Sequence, residues 1–73
     1  MEKETLDNMP KLIAEEAQDA MNYAHLALEN RETNPDLAEM FMKLSGEELH
    51  HMQMISDKLA AMVSNLHAQY NNP

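Results

Sequence analysis

One tripeptide constrains this chain more than any other feature. Asn34-Pro35-Asp36 interrupts a sequence otherwise written in helix-forming residues. Asn34 carries the side-chain oxygen of an N-cap. Pro35 suits the first helical position, where its missing N–H costs nothing, and Asp36 puts an acid at the positive end of the helix dipole. Upstream, a stretch rich in Ala, Glu, Leu and Met favours helix, and Asp7 or Asn8 followed by Pro10 offers an earlier start of the same kind. The sequence therefore predicts helix 1 over about residues 9–31, a linker at 32–34 and helix 2 over about residues 35–70, with 1–73 forming one helical unit. A linker of about three residues leaves only an antiparallel two-helix hairpin.

Hydrophobic spacing agrees with that division. Ile13, Ala17, Ala20, Ala24, Ala27 and Leu28 recur at helical intervals, as do Leu37, Phe41, Leu44, Met52, Ile55, Leu59, Met62 and Leu66. Gly46 falls inside the second series at a cost of about 1 kcal/mol relative to Ala. The expected helices differ in length, at roughly 35 and 54 Å, so about the last 12 residues of helix 2 should overhang. Two helices cannot bury both apolar stripes, and 73 residues make a marginal core. There is no Cys to staple the fold or to hold a metal through sulfur. We expect an all-α hairpin that pairs with a second copy into a four-helix bundle, a homodimer at minimum and a larger homo-oligomer by way of the overhang.

Charge excludes several classes of partner. Thirteen acidic residues against five Lys and Arg give a formal net charge of -8. That balance disfavours nucleic acid and anionic lipid, both of which require clustered cations. A hydrophobic fraction of 44% is too high for a disordered acidic chain. No apolar run approaches 18 residues, so no membrane span is expected. The opening Met1-Glu2-Lys3-Glu4 leads into no signal-like segment, so a cytoplasmic location is the expectation.

The chemistry concentrates where acids interrupt the apolar stripes. Glu48 and His51 stand three apart and share a helix face with Phe41, Leu44, Ile55 and Leu59. Glu47 and His50 have the same spacing but share a mixed face with Lys43, Met54 and Asp57. An acid in an apolar stripe is costly unless it is paired or bound to metal, which singles out Glu48 and His51. Glu16 is out of place in the same way, beside Ile13, Ala20, Tyr23 and Ala27, with Glu15 and Asp19 to one side. Folding the hairpin near residue 33 sets Glu16 opposite residue 50, at the level of Glu48 and His51.

One hairpin then offers two carboxylates and one imidazole, and a two-fold dimer doubles them. That is the donor inventory of a di-metal carboxylate bundle. Carboxylate oxygens with an imidazole suit iron, and also manganese or zinc. The other nitrogen of His51 would seek a carboxylate or carbonyl partner, which Asp19 or Glu47 could supply. A plainer alternative is a solvated acid–imidazole pair that fixes dimer register, in a non-catalytic oligomerisation or scaffold protein. A metal binder without redox chemistry is a third.

These residues resemble the ferritin-like superfamily. Glu16 followed seven residues later by Tyr23 is similar to its first ligand helix, and Glu47-Glu48-Leu49-His50-His51 followed by Ile55 to its second. The resemblance implies Glu16, Glu48 and His51 as ligands of a di-iron centre, Tyr23 as a neighbour of that centre, and oxidation of ferrous to ferric iron. In its two-helix format the chain is closest to the encapsulated ferritins. That likeness implies a centre formed between subunits, ring assembly and residence inside an encapsulin shell. Full-length ferritins and rubrerythrins have four helices per chain, and no Cys pairs for a rubredoxin-like electron-transfer site are present.

Overall fold

The computed structural model describes residues 2–72, with side chains from residue 4 onward. Two helices, α1 over Glu2–Asn30 and α2 over Pro35–Asn71, lie against each other as an antiparallel hairpin. The reversal is tightly bonded. Arg31 N–H donates to the Leu28 carbonyl at 3.4 Å, and Asn34 N–H to the Asn30 carbonyl at 2.8 Å. Asn34 then caps α2, its side-chain oxygen accepting from the Leu37 N–H at 3.3 Å.

The start of α1 corrects the sequence reading. The helix begins at Glu2, about seven residues before the expected position, and Pro10 lies inside it. Pro10 has no N–H for the Leu6 carbonyl, a loss that normally ends a helix. Packing reverses the preference here. Met9 is buried, and Leu6 shares a crevice with Met62, Asn65, Leu66 and Gln69 of α2. These extra turns cover part of the expected overhang, so less of α2 stands unaccompanied.

The seam between the helices follows a seven-residue repeat. On α1 it runs through Leu6, Met9, Ile13, Glu16, Ala20, Tyr23, Ala27 and Asn30. On α2 it runs through Ala38, Phe41, Ser45, Glu48, Met52, Ile55, Leu59 and Met62. This is the alternating three-and-four spacing of a coiled-coil contact. The deepest positions are mostly small, namely Ala20, Ala27, Ala38 and Ser45, so the backbones come close there. Ala38 and Ser45 were absent from the expected stripe of α2. Leu28 and Leu66, which were in the expected stripes, are exposed. Contact between two helices is made by whichever side chains permit close approach, and large apolar residues flank the seam.

The hairpin is long and thin. Its radius of gyration is 17.2 Å, against about 11 Å for a compact domain of this length. Its accessible surface is 5786 Å², against about 4,600 Å² for a compact monomer of its mass. No described side chain is fully sequestered, and Leu12, Leu26, Leu49, Met54 and Val63 are among eleven large apolar residues left exposed. No described helix is long and apolar enough to cross a membrane.

Candidate metal centre

Glu16 and Glu48 occupy matching seam positions on the two helices, one step along from the Ala20–Ser45 contact. His51 projects from the turn of α2 after Glu48 and reaches both. Its Nδ1 lies 3.4 Å from Glu16 Oε2 and 3.7 Å from Glu48 Oε1. One donor atom from each of the three residues falls within 4.8 Å of the others. The two glutamates are half-buried, whereas the His51 side chain is 52% exposed, so the cluster opens on one flank of the hairpin.

The charges there are unbalanced. The Glu48 carboxyl is held above its usual value of 4.5. The largest cause is the neighbouring Glu16 carboxyl, to which a protonated Glu48 can hydrogen-bond. Burial adds to it, as do the negative charges of Glu16 and Asp19, while His51 acts in the opposite direction. With both carboxyls ionised neither can donate. Glu16 Oε2 is then a buried acceptor with no hydrogen-bond partner. Such an atom costs stability unless a cation or donor meets it.

The rubrerythrin family profile matches residues 7–72, nearly the whole chain. The chain belongs to the rubrerythrin family. No curated protein and no solved structure gives a significant match.

The donor set of this rubrerythrin-family chain fits a divalent metal. Two carboxylates and an imidazole are the oxygen and nitrogen ligands that iron, manganese and zinc accept, and the buried Glu16 Oε2, which makes no hydrogen bond and has only the His51 imidazole at 3.4 Å beside it, could accept a cation. Three protein donors leave positions open for further ligands.

Of the residues singled out from the sequence, Glu16, Glu48 and His51 are brought together. Tyr23 is not joined to them by a hydrogen bond. Its ring stacks on Phe41, with centroids 6.3 Å apart and planes inclined by 23°. Glu15, Glu47 and His50 are exposed and lie outside the cluster. Asp19 is exposed too, and acts on Glu48 through its charge. Ser45 was missed by the sequence reading. A small polar residue beside a glycine, Ser45-Gly46, looks like a weak point in a helix, and no spacing rule marks it as a contact.

Proposed function

We propose that this rubrerythrin-family chain binds ferrous iron and oxidises it to ferric iron with dioxygen or peroxide, as a ferroxidase-like oxidoreductase. The centre forms between two copies of the chain. Each copy contributes Glu16, Glu48 and His51, giving four carboxylates and two imidazoles for a pair of irons. The observation that carries this reading is the convergence of Glu16, Glu48 and His51 on one point, with Glu16 Oε2 buried there and making no hydrogen bond. Two ferrous ions supply the two electrons that, with two protons, reduce one dioxygen to hydrogen peroxide. With peroxide as oxidant, two electrons and two protons give two waters. Within this scheme Glu16 and Glu48 would hold the iron through carboxylate oxygens and His51 through one imidazole nitrogen. The paired carboxylates favour the ferric product because they offset its added charge.

The exposed apolar flank beside His51 supports pairing, since a second hairpin laid there would cover Leu12, Leu26, Leu37 and Leu44 and complete a four-helix bundle. Larger rings, an encapsulin shell as partner and a cytoplasmic nanocompartment as location belong to the same proposal through the two-helix likeness to encapsulated ferritins. Manganese or zinc would enter the same donors without turnover. The test is an anaerobic ferrous titration followed by oxygen. Binding should saturate at two irons per dimer, and oxygen should then raise a ferric absorbance that Glu48→Ala abolishes. Binding without oxidation would reduce the reading to a non-redox metal site. No binding, with assembly intact in Glu48→Ala, would reduce it to a scaffold.

A further inference from the structure

We propose that Ser45 is a positioning residue for the metal centre, an inference that rests on the metal-binding reading above. Ser45 is the one buried polar residue among the described residues, at 5% exposure. Its hydroxyl donates to the Ala20 carbonyl oxygen at 2.6 Å. A serine inside a helix ordinarily turns its hydroxyl back to a carbonyl of its own preceding turn, or out to solvent. Here the bond crosses from α2 to α1, and it is both short and shielded from water.

Its location gives it a role beyond packing. Ala20 stands one turn after Glu16 on α1, and Ser45 stands one turn before Glu48 on α2. The bond therefore ties the two backbones together beside the two carboxylates. Beside it the seam holds the acidic pair Glu16 and Glu48 with His51, and otherwise apolar contact, which is non-directional and permits sliding. A slide of one residue moves a helix about 1.5 Å along its axis. That is about a third of the 4.8 Å within which the three donor atoms lie. Ser45 lies 25 residues round the bend from Ala20, so this directional bond adds to the restraint of the bend and holds the axial offset of α1 against α2 beside the site, and with it the facing of Glu16 and Glu48. Serine is also the small side chain that supplies a donor without forcing the helices apart at their close approach.

The test compares cobalt(II) titrations, read by ligand-field absorption, of the full chain and of Ser45→Ala, Glu48→Ala and Ala38→Gly. Ala38 is buried on the same seam, about 15 Å from Glu48 along α2, so Ala38→Gly reports what general loosening of the hairpin does. Ser45→Ala should weaken cobalt binding about tenfold, the usual lower end for loss of a supporting hydrogen bond, and should alter the shape of the ligand-field bands. Ala38→Gly should leave the bands unchanged. Parent-like affinity and bands in Ser45→Ala would overturn the proposal, as would the same loss in Ala38→Gly. If the parent binds cobalt no more tightly than Glu48→Ala, the metal-binding reading itself fails and the role of Ser45 with it. Should Ser45→Ala not fold, Ser45→Gly, which also removes the hydroxyl and offers cobalt no ligand, is judged by the same criteria.

Discussion

At the scale of single residues, Glu48 links protons to stability. Its folded-state value lies above the ordinary carboxylate value, so between the two the folded chain holds more proton than the unfolded chain. Stability from this group is therefore present below about pH 4.5 and is lost as pH rises through the raised folded value. Metal-free Glu48→Gln should accordingly gain in melting temperature over the parent at neutral pH, and the gain should shrink near pH 4. Calorimetry of the two proteins at both conditions checks the sign. An equal offset at both would mean that the Glu16–Glu48 repulsion is absent in solution. Divalent binding should strengthen over the same pH rise, because the metal displaces that proton. The cluster itself was legible in the sequence because Glu16, Glu48 and His51 break apolar stripes at mirrored distances from the turn. Ser45 was not legible, since its function lies in a bond to a backbone atom 25 residues away.

At the scale of the helices, small residues set the spacing. Ala38→Leu would force the backbones apart at the seam and should cost about 1–3 kcal/mol in urea denaturation. Gly46 is a contrasting case. A Cβ built there meets nothing within 4 Å. Gly46→Ala should thus stabilise the isolated hairpin by about 1 kcal/mol through helix propensity, and a loss instead would show that something outside the hairpin approaches that backbone. The two-helix division was readable from Asn34-Pro35-Asp36, because capping and proline geometry are local. The start of α1 was not, because the packing of Leu6 and Met9 against α2 outweighs a local rule about Pro10. The same reasoning explains the missed seam positions Ala38 and Ser45. Hydrophobicity ranks large residues first, whereas helix contact selects small ones.

At the scale of the whole molecule, the hairpin is thin and leaves Leu and Met residues uncovered, surface that the proposed pairing of two copies would bury. Sedimentation should find the chain as a dimer or larger. Leu26→Glu, on the flank that also carries Asp19, should shift it toward monomer and lower metal stoichiometry together; a monomer that keeps full stoichiometry would place all necessary ligands in one chain. The geometry also limits how such a chain can change length. Glu16 stands fourteen residues before Asn30, the last residue of α1, and Glu48 fourteen after Asn34, the cap of α2. Each carboxylate is thus two full repeats from the bend. One residue inserted between Glu16 and Asn30 would swing Glu16 about 100° away from its partner, whereas residues added to the bend itself would leave both in place. Lengthening or shortening that keeps the centre must therefore come in sevens, made in both helices at once, or be confined to the bend.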